Sequence, residues 1–311
     1  MKEKPLVSII VPIYNLEKYL EPSLNSIKSQ TMTDFECLMI VKTSQDKSAD
    51  ICRKFANDDS RFVLIETSTP GISYARNVAL DMAKGDYISF IDGDDIVEAT
   101  FLEDLIDNFD DNTDMVICRK IREKKFKPSK KVKKYRVHHL DRDDTIDRMI
   151  CSKDFNGTST DKLFKRDLIG QTRFHEDIHF SEDAAFDFDY LVKCKNIKFI
   201  DKVLYHYINH RDSASNADFN IKQLTCIDAF EYIALNAPTE KIRESALAWK
   251  GALAIMLLYY IKRSHIKDDK NYNYLLKVLK DSLPHFKKSK YIKWYIRWFR
   301  HFVYFVFKII K

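Results

Sequence analysis

Short apolar segments alternate with segments of helical periodicity in the N-terminal part of this chain. The apolar run Leu6–Pro12 is typical of a buried strand, and apolar residues recur at helical spacing between Leu16 and Ser29. We predict further strands over 35–41, 62–66 and 87–91 and helices over 48–56 and 72–84. This alternation predicts an α/β fold with a mostly parallel sheet covered on both faces. Ligands of such sheets bind beyond the carboxyl ends of the strands.

The fourth predicted strand runs directly into an acidic cluster, Phe90-Ile91-Asp92-Gly93-Asp94-Asp95. Three carboxylates this close repel one another unless a cation lies among them. Mg²⁺ and Mn²⁺ bind through one or two carboxylates and keep positions open for phosphate oxygens. The cluster therefore predicts a metal–diphosphate site. An acidic cap for the next predicted helix, over 97–109, is the alternative, and these residues alone are equally compatible with it.

Four motifs along the chain resemble those of family 2 glycosyltransferases, which are inverting enzymes with the GT-A fold. They lie at 7–15 (VSIIVPIYN), 71–77 (GISYARN), 84–95 (KGDYISFIDGDD) and 181–183 (SED). The resemblance covers roughly residues 5–215. It implies a Rossmann-like GT-A domain with a mostly parallel central sheet flanked by helices. It also implies transfer of a sugar from a nucleotide-sugar donor with Mn²⁺ or Mg²⁺.

The resemblance assigns roles on the donor side. Asp94 would bind the metal that bridges the two phosphates, with Asp92 beside the ribose and the metal, and Asp95 in support. Pro12 and the ring of Tyr14 would line the base pocket, which Arg76 and Asn77 would close from the third helix. Without the motif, Arg76 would be interpreted as a cation on a helix surface. The predicted nucleotide-sugar-binding residues are Pro12, Tyr14, Asn15, Lys42, Arg76, Asp92, Gly93 and Asp94.

Asp183 is the candidate general base, because inversion needs a carboxylate that takes the proton from the attacking hydroxyl. In the family this residue is the Asp of a Glu-Asp pair, which Glu182-Asp183 matches. The same two acids also suit the start of a helix over 184–193. Acceptor-side contacts are predicted for Lys162, Glu182, His206 and Arg211. The aromatic stretch 204–210 predicts a strand in which His206 and His210 pack rather than share a metal. A ribose or diphosphate contact from His206, His210 or Arg211 is the alternative.

The turn after the second predicted strand departs from the family. Acids are usual there, one of which recognises uracil, whereas this chain has Val41-Lys42; Ser44, Asp46 and Ser48 keep the character of the turn. An ammonium cannot accept the hydrogen bond offered by uracil N3–H. Three explanations stay open: backbone carbonyls read uracil, the donor carries another base, or the domain is a catalytically silent binding or assembly module.

The C-terminal part predicts helices over 221–235, 239–263 and 272–282. We therefore expect a catalytic domain over 1–218, with a nucleotide-binding half to about 118 and an acceptor-binding half beyond it, and a helical region over 219–311. Residues 287–311 contain eight Lys or Arg, nine aromatics and no acid. Drawn as a helix, this segment has a basic stripe and an aromatic body, which suits an anionic membrane surface. A helix docked on the protein or on a second subunit is the alternative.

Charge and cysteine patterns concern the partners and the compartment. Much of the excess positive charge, +6 overall, lies in 119–136 and 287–311. Residues 119–136 suit a solvated loop or strand pair, and the two segments favour an anionic surface over nucleic acid as partner. Six cysteines without a Cys-x-x-Cys pair predict buried thiols in a reducing compartment. No signal peptide precedes the first strand, so we expect a peripheral protein on the cytoplasmic face of the plasma membrane. The expected acceptor is a glycan or a lipid-linked molecule. The sequence is also compatible with an oligomer.

Overall fold

The computed structural model describes residues 4–129, 134–151, 157–213, 219–264 and 268–288. The chain divides into two compact units. The first comprises Met1–Arg142, Thr158–Glu176 and Asp189–Ser213, and the second comprises Asp143–Gly157, Asp177–Phe188 and Ala214–Lys311. The predicted domain boundary at residue 218 stays a prediction. The predicted amphipathic helix over 287–311 lies outside the described residues, apart from Lys287 and Lys288.

The first unit is built on one sheet, which has nine strands in the described ranges. The strands are β1 (Val7–Ile13), β2 (Phe35–Lys42), β3 (Phe62–Thr67), β4 (Tyr87–Phe90), β5 (Ile96–Val97), β6 (Met115–Glu123), β7 (Val137–Leu140), β8 (Lys162–Lys165) and β9 (Ile197–Ile208). Their order is β3-β2-β1-β4-β8-β6-β9-β5, with β7 paired to β9. Strands β3, β2, β1 and β4 are parallel to one another, as the alternation predicts. Strand β8 lies antiparallel between β4 and β6, so the second half of the sheet is mixed.

Five helices accompany the sheet: α1 (Leu20–Lys28), α2 (Ser48–Asp58), α3 (Ile72–Met82), α4 (Phe101–Ile106) and α6 (Arg166–Ile169). The predicted helix over 97–109 is wrong in its first part. Ile96 and Val97 instead form β5, since their backbone pairs with β9 and the Val97 side chain is buried. β-Branched residues favour such a pleated, half-buried position.

Strand β1 explains where the sheet places its functional edge. All seven of its residues are buried, because the strand is covered on both faces. In the register of β1 and β4, Ile10 lies opposite Phe90. Tyr14 and Asp92 therefore follow neighbouring parallel strands and emerge at the same carboxyl edge. The sequence pattern predicted this juxtaposition.

Helices dominate the second unit. They are α5 (Arg142–Cys151), α7 (Glu182–Leu191), α8 (Thr225–Leu235), α9 (Glu240–Arg263) and α10 (Asp269–Ser282), with short 3₁₀ segments at Ile221–Leu224 and Leu283–Lys287. Helix α7 ends, and α5 begins, with residues of the first unit. The three predicted C-terminal helices are confirmed. Gly251 lets α9 approach its neighbour closely, since a Cβ there would lie 2.5 Å from the Ser282 Cβ.

Two further observations concern the burial of the cysteines and the possibility of a membrane-spanning helix. All six cysteines are buried thiols, as predicted. In the ranges that the structure describes, no helix has both the length and the apolar character that crossing a membrane requires.

Candidate active site

The acidic loop after β4 presents two carboxylates and hides a third. The side chains of Asp92 and Asp94 are 30% and 22% exposed, whereas Asp95 is 1% exposed. Gly93 of this loop packs against side chains at and just after the end of β1. A Cβ at that position would lie 2.9 Å from Leu16 Cδ1. The loop thus separates two residues that can face a ligand from one that cannot.

Asp95 is an internal acceptor of hydrogen bonds. The Tyr205 hydroxyl donates to Asp95 Oδ2 at 2.8 Å, and the Ile208 backbone N–H donates to Oδ1 at 2.9 Å. Burial, together with the charges of Asp92 and Asp94, raises the pKa of Asp95 well above its usual value. These contacts agree with the supporting role expected for Asp95.

His210 lies against Asp94, which the sequence did not lead us to expect. Its Nε2 is 2.8 Å from Asp94 Oδ2, and its ring stacks on Tyr19 at a centroid distance of 3.7 Å. The Tyr19 hydroxyl donates to Asp212 Oδ2 at 3.0 Å; burial and this carboxylate raise the pKa of Tyr19. We predicted packing for His210. The ring does pack, but it also brings an imidazole nitrogen to the acidic loop.

Arg76 is a buried residue, 1% exposed, and not a surface cation. Its Nη2 donates to Asp92 Oδ1 at 3.0 Å, and its guanidinium lies over the Phe174 ring at 5.1 Å. Asn77, expected to close the base pocket, instead makes two bonds to the backbone of Phe174. Its Nδ2 donates to the carbonyl at 2.9 Å, and its Oδ1 accepts from the N–H at 2.8 Å. The Asn77 amide is buried and bonded to the chain, and its expected role in the base pocket stays a prediction.

The region of the predicted base pocket carries an exposed aromatic ring. Tyr14 is 50% exposed and has the Lys42 ammonium 4.0 Å from its ring centroid, a cation–π contact. Asn15, at φ 54°, adopts the left-handed conformation that Asn tolerates. Pro12 is buried within β1, opposite Ile40 of β2, so its ring does not present a surface to solvent.

Asp46 organises the turn that departs from the family. It accepts from the Ser44 and Ser48 hydroxyls at 2.5 and 2.7 Å and from the Glu17 backbone N–H at 3.0 Å. Burial alone would raise the pKa of Asp46, but these bonds to the ionised form outweigh it and the pKa is lowered. The Asp46 carboxylate therefore stabilises this turn, and Lys42 lies just before the turn in the chain.

Asp183 belongs to the second unit. It is half-buried in the first turn of α7, after Ser181, whose φ of 66° is left-handed. Glu182 beside it is buried. The predicted helix begins at Glu182, so both acids lie where the positive end of the helix dipole favours carboxylates. The Asp183 side chain is therefore only partly shielded from solvent.

Two residues predicted on the acceptor side are buried. Lys162 Nζ donates to the Thr158 carbonyl at 2.5 Å and to Asp161 Oδ1 at 2.8 Å. His206 lies between two carboxylates, with Nδ1 2.8 Å from Glu123 Oε1 and Nε2 2.9 Å from Glu98 Oε1. Neither side chain presents a group to solvent.

Arg211, the fourth residue predicted on the acceptor side, is exposed. It directly follows His210 and lies beyond the end of β9. Its guanidinium is therefore available at the surface of the same loop that brings His210 to Asp94. The sequence-based expectation of an acceptor-side contact stays a prediction for this residue.

Asp94, His210 and Asp92 are the residues that could contribute to a metal site. In the part of the chain that the structure covers, no group of three or more His, Cys, Asp or Glu side chains forms a ready enclosure for an ion. Ions that retain open positions for phosphate oxygens need only one or two protein carboxylates. The carboxylate of Asp94 therefore suits Mn²⁺ or Mg²⁺ completed by a diphosphate, whereas the nitrogen of His210 suits Mg²⁺ less well, because Mg²⁺ prefers oxygen ligands.

Comparison with known proteins identifies the family. The family described as Glycosyl transferase family 2 matches residues 8–172. This chain belongs to glycosyl transferase family 2. The match includes the acidic loop, Arg76 and Lys162, and it ends before Asp183 and His210.

Two relatives illustrate the similarity. The putative glycosyltransferase EpsH of Bacillus subtilis is 30% identical over 218 residues, which are 68% of this chain and 63% of EpsH. The poly(ribitol-phosphate) beta-N-acetylglucosaminyltransferase TarP of Staphylococcus aureus is 28% identical over 222 residues, 69% of this chain and 66% of TarP. The chain spans just under two thirds of the first relatives it matches, 63% and 64% of their lengths.

Solved structures confirm the predicted GT-A fold. S. aureus TarS 1–349 in complex with UDP-GlcNAc superposes with a TM-score of 0.66 at 21% identity, covering 90% of this chain and 81% of TarS. The mannosyltransferase PcManGT from Pyrobaculum calidifontis, in complex with GDP-Man and Mn²⁺, gives a TM-score of 0.57 at 15% identity, covering 90% and 86%. At such identities the likeness concerns the fold.

Proposed function

We propose that this chain is a metal-dependent, inverting glycosyltransferase that moves a sugar from a nucleotide-sugar, a UDP-sugar by preference, to an acceptor hydroxyl. The observation that carries the proposal is the arrangement at the carboxyl edge of the sheet. Asp94 lies 2.8 Å from the His210 nitrogen, and Arg76 holds Asp92. Each pair includes one carboxylate of the loop that follows β4, in the unit that also exposes Tyr14.

Tyr14 and Lys42 are the proposed contacts of the base. The exposed ring offers a stacking face, and the ammonium on that ring donates only. A base with carbonyl oxygens, such as uracil, would accept from it, while N3–H would need a backbone carbonyl. TarS, with UDP-GlcNAc, has the same fold and supports a uridine donor.

Asp94 and His210 would hold the metal, with Asp92 beside them. A bound Mn²⁺ or Mg²⁺ would supply Lewis-acid stabilisation of the charge on the leaving diphosphate. Arg76 orients Asp92 through its 3.0 Å bond, since a buried guanidinium over Phe174 has little freedom to move. PcManGT, which has this fold and is in complex with Mn²⁺, supports the use of a divalent ion.

Asp183 is the proposed general base. The acceptor hydroxyl would give its proton to this carboxylate as its oxygen attacks the anomeric carbon, and the bond from that carbon to the diphosphate would break on the opposite face. A single displacement of this kind inverts the anomeric configuration. The carboxylate lies in the first turn of α7, a position that acidic side chains favour because of the helix dipole.

The acceptor is proposed to be a glycan or a lipid-linked glycan in cell-surface polymer synthesis. TarP, a poly(ribitol-phosphate) beta-N-acetylglucosaminyltransferase, supports a polymer of this class. The basic aromatic segment 287–311 supports a place at an anionic membrane surface, on the cytoplasmic face. We keep Lys162, Glu182, His206 and Arg211 as acceptor-side candidates, although a contact from buried Lys162 or His206 would require rearrangement.

Calorimetric titration tests the donor site. UDP, GDP, CDP and ADP would be titrated into the protein with and without Mn²⁺. We expect one nucleotide, UDP, to bind only when Mn²⁺ is present. Binding of CDP or GDP instead would reassign the role of Lys42. If no nucleoside diphosphate binds, the proposal fails and the chain is better explained as a catalytically silent assembly module.

A further inference from the structure

The Tyr205 hydroxyl joins two points of the acidic loop from within the protein. It accepts a hydrogen bond from the Asp92 backbone N–H at 3.2 Å and donates to Asp95 Oδ2 at 2.8 Å. Tyr205 is wholly buried on β9, and the Lys120 ammonium lies 6.0 Å from its ring centroid. The ring is therefore fixed by packing, and its hydroxyl acts as a rigid partner of the loop.

The second oxygen of Asp95 extends this connection toward His210. It accepts from the Ile208 backbone N–H at 2.9 Å, two residues before His210 in the chain. The acidic loop is thus bonded to β9 at Tyr205 and at Ile208. Asp94 and His210 are the two proposed metal ligands. Because of these two bonds and the 2.8 Å contact between Asp94 and His210, they have little freedom to separate.

We propose that Tyr205 and Asp95 are positioning residues that set the distance between Asp94 and His210 and thereby the affinity of the site for a divalent cation with a diphosphate. The identity of that ligand rests on the proposed function. Neither residue would touch the ligand. Groups that orient metal ligands from behind commonly change metal affinity 10- to 100-fold when they are removed.

Removal of the Tyr205 hydroxyl tests this role with little change of volume. Tyr205→Phe leaves Asp95 Oδ2 and the Asp92 N–H in a buried region without their partner, so the loop must rearrange. Tyr190→Phe is the matched control. Its hydroxyl is also buried; it accepts from the Lys165 N–H at 2.8 Å and donates to the Asp114 carbonyl at 2.6 Å, and it has no bond to the acidic loop.

Electron paramagnetic resonance of free Mn²⁺, in the presence of UDP, provides the first measurement. We expect Tyr205→Phe to weaken Mn²⁺ binding at least about tenfold, with Tyr190→Phe unchanged even if both lose stability. Asp95→Asn, which keeps the size of the side chain, should weaken binding in the same direction. Equal affinity in Tyr205→Phe and the wild type, or equal losses in the two Tyr variants, would overturn the proposal.

Hydrogen exchange of the ligand-free proteins separates this inference from the proposed function. Faster exchange at the Asp92 and Ile208 amides in Tyr205→Phe, but not in Tyr190→Phe, would support the positioning role even if the wild type binds no nucleotide. In that case only the proposed nucleotide-sugar donor would be contradicted, and the positioning role would stand. Unchanged exchange at both amides would contradict the positioning role whatever the wild type binds.

Discussion

Neighbouring side chains of the acidic loop differ in their exposure to solvent and in their hydrogen-bond partners. Asp94 is partly exposed and accompanied by an imidazole, whereas Asp95 one residue later is buried and bonded to β9. Adjacent carboxylates thus experience different environments, because the loop turns one outward and the other inward. The same division applies to neighbours on α3, where Arg76 serves Asp92 and Asn77 serves the backbone of Phe174.

Asp94→Ala should weaken the Mn²⁺-dependent binding of UDP at least about 100-fold, because the metal would lose one of its few charged ligands. Its unfolding temperature should stay near that of the wild type, since the side chain is partly exposed. Calorimetry and thermal unfolding measure the two quantities. Asp50→Ala, at an exposed position of α2, is the control and should leave binding intact. Retained metal-dependent binding in Asp94→Ala would contradict the metal assignment.

Asp183→Asn should abolish sugar transfer while leaving nucleotide binding unchanged, because the amide cannot take the proton of the acceptor hydroxyl. Release of nucleoside diphosphate with acceptor present measures transfer, and calorimetry measures binding. The same substitution at Asp189, later in α7 and 3.0 Å from His175, provides a control that should remain active. Full transfer by Asp183→Asn would remove Asp183 from its proposed role.

Elements of the structure are joined by buried charges as well as by the sheet. Asp161, before β8, accepts from Lys162 and lies 3.8 Å from Lys120 of β6. In the second unit, Glu244 of α9 contacts His285 Nδ1 at 2.6 Å and Lys288 Nζ at 2.8 Å, which ties the last 3₁₀ segment to the helix. Such pairs add little to stability when intact, but their disruption leaves a charge without compensation.

Asp161→Asn should lower the free energy of unfolding by about 3–5 kcal/mol, since Lys120 and Lys162 would lose their shared carboxylate in a buried region. Urea unfolding at neutral pH gives the value. Asp110→Asn disrupts an exposed ion pair with Lys198 and should lower the free energy of unfolding far less. Similar losses in the two variants would show that the buried cluster contributes no more than a surface pair.

Glu244 should make stability depend on pH. Burial opposes its ionisation, but the bonds from Lys288 and His285 dominate, and the pKa of Glu244 is lowered from its ordinary value of 4.5. An acid whose pKa is lower in the folded state than in the unfolded state stabilises the fold above its unfolded pKa. This stabilisation is lost as the pH falls through its folded pKa. Wild type should therefore exceed Glu244→Gln in unfolding free energy at pH 6, and the difference should vanish well below pH 4.5. Urea titrations at several pH values measure it; a constant difference would contradict the linkage.

The whole molecule combines an α/β unit that carries the donor-side residues with a second unit that carries Asp183. The family relationship and the fold concern the first of these most directly, since the family match ends at residue 172. The C-terminal sequence adds a basic aromatic segment whose composition suits a membrane surface. Any effect of this segment on membrane binding is therefore separate from the residues proposed for the donor site.

Deletion of 289–311 should release the protein from anionic liposomes, because most of the basic stripe and the aromatic anchors are removed together. Co-sedimentation with liposomes of anionic and of neutral lipid measures the effect. The truncation retains Lys288 and its contact with Glu244. Added salt should weaken binding of the full chain. Unchanged co-sedimentation after truncation would favour a helix docked on protein.

The local sequence predicted those parts of the site that lie within one strand and its loop. Apolar runs and acidic residues between Tyr87 and Asp95 located β4 and the exposed carboxylates, because strand period and charge repulsion are local properties. His210 and Tyr205 were not recognised as partners of the loop. Each lies more than 100 residues away, and a His or Tyr on an aromatic strand is compatible with ordinary packing.

The sequence by itself determined the alternation of strands and helices, the carboxyl edge where ligands bind, and the family, since these follow from periodicity and from motifs in order. Only the tertiary structure decided that Asp95 is buried, that Arg76 pairs with Asp92, and that His210 reaches Asp94. The reason is physical. Burial and hydrogen bonding of a side chain depend on which strand the sheet places beside it, and β8 between β4 and β6 is a pairing that no local pattern specifies.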